Sequence, residues 1–323
     1  MSAESSIKKV AIIGAGSIGC SWAALFIANG IETTVFDVNP SAESLLRSLV
    51  AGALPVLSRL GSTKNQTACA SDILFTTDLA TALKDADFVQ ENGPERLELK
   101  HTIFNDITKH IRPDTIISTS SSGLTCSSIQ SGVKAHPERC VVGHPFNPPH
   151  LIPLAEVVGG SQTTSDVIDR TMRFYESLGK KAVHVKKEVA GHIANRLQSA
   201  LFREVMHLIQ NDVCSVSDIE DAMQHGPGLR WGVMGPSCLM HLAGGPGGIE
   251  HMSNHLLEPM MGWYAKQDPV VDDDLKKKWI EGTREAVDGR SYESLAKQRD
   301  EELIELLKIR KDWDGYAARK KSE

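Results

Sequence analysis

The segment Val10-Ala-Ile-Ile-Gly14-Ala-Gly16-Ser17-Ile18-Gly19 narrows the fold of this chain more than any other. A β-branched run leads straight into glycines at the GxGxxG spacing, and an apolar helical pattern follows. In that setting Gly14 permits a tight turn, Gly16 lets the backbone approach a pyrophosphate, and Gly19 allows the helix to pack close on the strand. Ser17 and Ile18 open the helix, whose unpaired N–H groups and partial positive charge favour phosphate oxygens. Asp37 ends the next β-branched run, where a carboxylate can accept hydrogen bonds from both hydroxyls of an adenosine ribose. It would repel a 2′-phosphate, and no Arg follows in Val38-Asn39-Pro40, so NAD rather than NADP is the expected cofactor.

Alternation continues beyond this turn. Strands are predicted over Val10–Ile13, Thr33–Asp37, Ile73–Thr76, Phe88–Glu91, Thr115–Ser118, Val141–Pro145, Leu154–Val158 and Ala182–Val185, with helical segments between most of them. After about residue 190 the strand runs stop. Asn195–Gln210 carries Leu197, Ala200, Leu201, Val205, Leu208 and Ile209 at spacings of three and four, which predicts a helix with one buried stripe. Ser217 is the expected cap of the next helix, which should end before Gly226. Tyr292–Lys311 reads as a charged helix. The expected fold is therefore α/β: a Rossmann-type, mostly parallel sheet domain over residues 1–190, followed by an all-α C-terminal domain over residues 191–323. At roughly 150 residues per domain the length agrees with two.

Composition excludes several classes. With 35 basic and 41 acidic side chains the net charge is −6, so no basic field exists to gather a nucleic acid. No apolar run approaches the roughly 18 residues of a membrane span. The opening MSAESSIKKV carries no apolar signal core, and the closing ARKKSE no retention or peroxisomal tripeptide, so a cytoplasmic location is expected. Cysteines 20, 69, 126, 140, 214 and 238 form neither CxxC pairs nor a metal-ligand spacing, and read as reduced thiols that mostly fill core; no metal site is expected.

The most unusual stretch is Cys140-Val-Val-Gly-His144-Pro-Phe-Asn147-Pro-Pro-His150-Leu-Ile-Pro-Leu-Ala-Glu156-Val-Val. One strand delivers His144 into a proline-fixed turn and the next delivers Glu156. A rigidly framed His and carboxylate suit a general base held in one tautomer and stabilised when protonated. His144 also falls at the C-terminal end of a sheet strand, where open α/β sheets bind ligands, whereas His150 reads as structural. Ser118-Thr-Ser-Ser-Ser122-Gly123 follows another strand end, and its hydroxyls either reach a substrate oxygen or cap a helix.

Together with Glu95-Arg-Leu-Glu-Leu-Lys100 and Gly191-His-Ile-Ala-Asn195-Arg196-Leu197, these motifs closely resemble the 3-hydroxyacyl-CoA dehydrogenase superfamily over essentially the whole chain. The resemblance implies NAD-dependent oxidation of a 3-hydroxyl. His144 resembles the family's general base and Glu156 its paired carboxylate. Ser122, with Ser121 as the alternative, matches the serine that hydrogen-bonds the reacting oxygen; Asn195 matches the asparagine near the same oxygen; Glu95 and Lys100 match residues around the nicotinamide ribose.

The acyl-CoA enzymes of that superfamily carry a lysine-rich helical arm between their second and third strands, whereas Ser41–Asp72 here offers only Arg47, Arg59 and Lys64. The chain is more similar to the branch acting on small free 3-hydroxy carboxylates, the carnitine and gulonate dehydrogenases and lambda-crystallin. The pattern Gly228-Leu-Arg230-Trp231-Gly-Val-Met-Gly235-Pro236 is shared with that branch. Arg230 could clamp a carboxylate bidentately or serve a surface salt bridge, and Trp231 could face a trimethylammonium group or fill core. A short-chain L-3-hydroxyacyl-CoA dehydrogenase and a non-catalytic, crystallin-like NADH-binding protein are the competing readings. Of the nine Trp and Tyr residues seven follow residue 190, Trp231, Trp263, Tyr264, Tyr292, Trp279, Trp313 and Tyr316, which points to the helical half for substrate choice and for a homodimer interface.

Overall fold

In the computed structural model, which describes residues 7–310, the glycine-rich segment joins β1 (Lys9–Ile13) to α1 (Ser17–Ala28). The chain continues through β2 (Glu32–Phe36), α2 (Ala42–Arg59), β3 (Leu74–Thr76), α3 (Leu79–Leu83), β4 (Phe88–Glu91), α4 (Leu97–Thr108), β5 (Ile116–Thr119), α5 (Cys126–Gln130), β6 (Cys140–Pro145), β7 (Leu154–Gly159), α6 (Ser165–Ser177) and β8 (Lys181–His184). All eight expected strands form, with ends shifted by at most one residue. They make one sheet in the order β3-β2-β1-β4-β5-β6-β7-β8, a Rossmann-type arrangement.

Both faces of that sheet are buried, which is why its strands read as continuous apolar runs. Val10 and Ile12 point into one core with Trp22, Phe26 and Phe174, while Ala11 and Ile13 point into the other with Phe104, Ile107 and Val142. Every neighbouring pair is parallel except β6 and β7. Residues 146–153 are too short a link for a helical crossover, so the chain reverses and the two strands pair antiparallel. Their register sets His144 directly opposite Glu156.

Contacts divide the described residues between Arg196 and Leu197, inside α7 (Ala194–Gln210). The second unit contains the rest of α7, then α8 (Val216–His225), α9 (Pro227–Trp231), α10 (Pro236–Ala243), α11 (Gly248–Met260), α12 (Asp273–Ala286) and α13 (Tyr292–Arg310), with no strand among its described residues. Its apolar cluster is small: Ile209, Val216, Ile219 and Leu275.

Two expectations are corrected here. The α7 stripe is only partly buried: Ile209 is enclosed, Val205 and Leu208 are half-buried against the same small cluster, and Leu197 at the start of the stripe is 62% exposed. The cap of α8 is Ser215 rather than Ser217; Ser215 and Asp218 bond each other's backbone amides in a capping box, and the earlier start lets Val216 and Ile219 share the core. Trp313 and Tyr316 lie outside the described residues. Cys20, Cys126 and Cys140 are buried, Cys69 is exposed, and all six cysteines are free thiols.

Candidate active site

Three segments of the first unit converge on His144: the end of β6, the strand opposite it, and the turn that opens α7. His144 is 5% exposed, with Nδ1 3.0 Å from Oε2 of Glu156. The other oxygen of Glu156 accepts the backbone amides of Ile193 and Ala194 at 2.9 and 3.0 Å. Burial pushes the Glu156 carboxyl up, but the bond to His144, these amides and the imidazole charge outweigh it and hold the group below the usual range. An ionised carboxylate only accepts, so the proton between the pair belongs to Nδ1 of His144, and in the neutral ring Nε2 carries the lone pair. Asn195 Nδ2 lies 3.4 Å from that nitrogen.

The serine run after β5 is sorted by its partners. Ser118 bonds the buried Tyr175 hydroxyl, Thr119 donates to Glu91, Ser120 receives Trp22 and Gln90, and Ser121 donates to Glu95. Ser122 is exposed, and its hydroxyl has no side-chain or backbone partner among the described residues. Of the two serines the motif leaves open, it is therefore the one with a hydroxyl to offer a ligand. Glu95 shapes this turn: a single oxygen accepts Ser121 Oγ and the amides of Gly123 and Leu124, and these bonds overcome burial to hold its carboxyl below the usual range. His150 bonds Ser21 at 2.8 Å, in keeping with a structural part.

At the other end of the site, Gly14 adopts φ +99° and donates its amide to Phe36 in β2. A Cβ on Gly19 would stand 2.0 Å from the Gly14 carbonyl, so the helix could not pack this close with any other residue. Gly16 has open space where its Cβ would be, and it caps α1 without a side-chain bond, leaving the first-turn N–H groups around Ser17 and Ile18 for a ligand. Asp37 accepts the Ala15 amide at 2.8 Å, which pins its carboxylate beside the turn. A dinucleotide pyrophosphate and ribose fit this open, donor-lined cradle.

Lys100 is not placed as direct cofactor contact requires. It is 1% exposed, and its ammonium donates to both oxygens of Glu91 and to the Gly93 carbonyl, which uses all three N–H groups. Sequence reasoning missed this Glu91–Lys100 pair, because nothing local marks a lysine on α4 as buried. It also passed over His192, which lies inside the Gly191–Asn195 motif and whose ring sits 5.1 Å from that of His144.

Residues 9–189 match the family description "3-hydroxyacyl-CoA dehydrogenase, NAD binding domain", and residues 191–285 match the C-terminal domain of the same family. The chain belongs to the 3-hydroxyacyl-CoA dehydrogenase family. L-carnitine dehydrogenase of Streptomyces coelicolor is 43% identical over 95% of this chain and 96% of its own length. The enzyme of that name from Pseudomonas aeruginosa is 41% identical, with 95% of each chain covered. Among solved structures, 5-formyl-3-hydroxy-2-methylpyridine 4-carboxylic acid 5-dehydrogenase, described as an NAD+-dependent dismutase, aligns with TM-score 0.81 and 29% identity over 94% of this chain and 98% of that one. This member of the family is an NAD-dependent oxidoreductase acting on a CH–OH group.

In its second unit Arg230 and Trp231 end the short helix α9. Both are exposed, Trp231 by 42%, and no ion pair engages the Arg230 guanidinium among the described residues.

Proposed function

We propose that this enzyme oxidises the 3-hydroxyl of a small free L-3-hydroxy carboxylate of the carnitine type to the 3-keto acid, with His144 as the general base. The observation that carries the reading is the array Glu156–His144–Asn195, which leaves the Nε2 lone pair next to an amide donor at a sheet end. NAD, when bound, accepts the hydride from C3. His144 Nε2 takes the hydroxyl proton, and Glu156, ionised throughout, stabilises the imidazolium that results. Ser122 and Asn195 hold the oxygen as it becomes a carbonyl. Gly14, Gly16 and Gly19 with the amides of Ser17 and Ile18 would hold the pyrophosphate, Asp37 the adenosine ribose, and Glu95 the nicotinamide side. Lys100 acts behind them by fixing Glu91 and the Gly93 carbonyl.

The charged side chains of this chain favour a free acid over a CoA thioester. The α2 region makes a poor cradle for a CoA nucleotide: Arg47 is held by Glu43 and by the carbonyls of Ala70 and Ile73, and Lys64 by the Ser177 carbonyl. Arg230, whose guanidinium makes no ion pair among the described residues, suits a free carboxylate, and Trp231 offers a face to a quaternary ammonium. Curated relatives named for L-carnitine support that class. We further propose a homodimer formed through the helical unit and a cytoplasmic location, where thiols stay reduced. NADH formation from L-carnitine, L-gulonate and 3-hydroxybutyryl-CoA tests the reading. The free acids should be turned over with kcat/KM at least about 100-fold above the thioester. A preference for the thioester, or no NADH from either free acid, would overturn the substrate class.

A further inference from the structure

His192 combines costs that a packing residue has no reason to carry. Its backbone adopts φ +51°, the left-handed region, directly after Gly191 at φ +75°. The side chain is 2% exposed, yet Nδ1 is enclosed with no hydrogen-bond partner. An unpaired buried acceptor is destabilising, and an apolar ring would avoid it. Nε2 stands 3.1 Å from the Ser121 carbonyl, which only accepts, so the proton sits on Nε2. Burial holds the ring in its neutral form, reinforced by the neighbouring His144; the other charged groups acting on it are Glu156 and Glu95.

These features meet at one junction. The two left-handed residues turn the chain so that the next amides, Ile193 and Ala194, converge on Glu156. The side chain of the second reaches back to the serine turn, and its ring lies 5.1 Å from the His144 ring on the way. We propose that His192 is a positioning residue that ties the Ser121–Ser122 turn to the Glu156–His144 pair, so that the hydroxyl holding the substrate oxygen and the nitrogen removing its proton keep a fixed separation. The tether is the Nε2–H donor; the ring contributes only contact. This inference rests on His144 being the base.

The test compares His192→Phe, which keeps a ring and loses the donor, with His192→Gln, whose amide nitrogen takes the place of Nε2. Loss of the tether should lower kcat about 10-fold or more, since small misplacements of reacting groups are expensive, and leave NADH affinity unchanged. His192→Gln should recover to within about threefold of wild type. Equal kcat in His192→Phe and wild type, or equal impairment of both variants, overturns the proposal. Should His192→Phe not fold, His192→Asn replaces it: its amide is too short for the Ser121 carbonyl and should be impaired where His192→Gln is not, and equal activity of the two amides overturns the proposal. His144→Gln, measured alongside, separates the two ideas. Turnover in that variant refutes the base assignment, whereas a dead His144→Gln with a fully active His192→Phe refutes the tether alone.

Discussion

In the first unit, most polar groups taken out of water find partners: Glu91 meets Lys100, Glu156 meets His144 and two amides, and Lys180 Nζ meets the carbonyls of Pro149 and Ile152, while Arg139 keeps an enclosed Nε with no partner among the described residues. The second unit shows the opposite pattern. Its enclosed apolar residues are Ile209, Val216, Ile219, Met252, Leu275 and Ile304, while Leu197, Leu229, Leu242, Leu257 and Trp263 are each more than half exposed. The first unit holds its chemistry in a framework the chain closes by itself. The second presents apolar area that its own described residues leave uncovered, and the proposed homodimer rests on that area.

The largest effect is expected from opening the buried Glu91–Lys100 pair. Lys100→Met leaves the Glu91 carboxylate enclosed without its partner and should cost about 3–5 kcal/mol. Thermal melting of the protein without cofactor reads this as a large fall, and a loss below about 1 kcal/mol would mean that Lys100 is not the structural member we describe. On the other side, Leu242→Asp with Leu257→Asp places charge on area that is already exposed in one chain. Dimer dissociation should weaken about 10-fold or more in sedimentation, while the melting of dilute monomer stays within about 0.5 kcal/mol. An unchanged dimer would show that this face is not the interface.

The smallest effect concerns pH. Burial pushes the Lys180 ammonium down from 10.5 to about 7. Between those values the unfolded chain binds a proton that the native state does not, so this residue makes stability rise with pH across the window, by at most about 1.4 kcal/mol per unit. Lys180→Met should flatten the change in melting temperature between pH 7 and pH 9, two values inside that window. Identical slopes in variant and wild type would contradict the assignment.

The strands and the glycine turn were legible because their signals are local: apolar runs for a sheet buried on both faces, and glycines whose spacing a tight turn dictates. His144 and Glu156 could be singled out, although only the antiparallel register explains why residues twelve apart face each other. Other features depend on contacts across the fold. Ser215 and Ser217 both precede an acidic residue by three, and the choice of cap was made by where Val216 and Ile219 could pack. Lys100 reads as a surface lysine until β4 supplies Glu91. The α7 periodicity identified an apolar face correctly but could not show whether this chain or another covers it.

The proposed base depends on the antiparallel pairing of β6 and β7, which sets His144 against Glu156. Steady-state turnover of His144→Gln with the best free hydroxy acid, paired with NADH titration of the same protein, tests it most directly. A fall in kcat of about 100-fold to 10,000-fold is expected with NADH affinity nearly intact, and turnover close to wild type would refute His144 as the base.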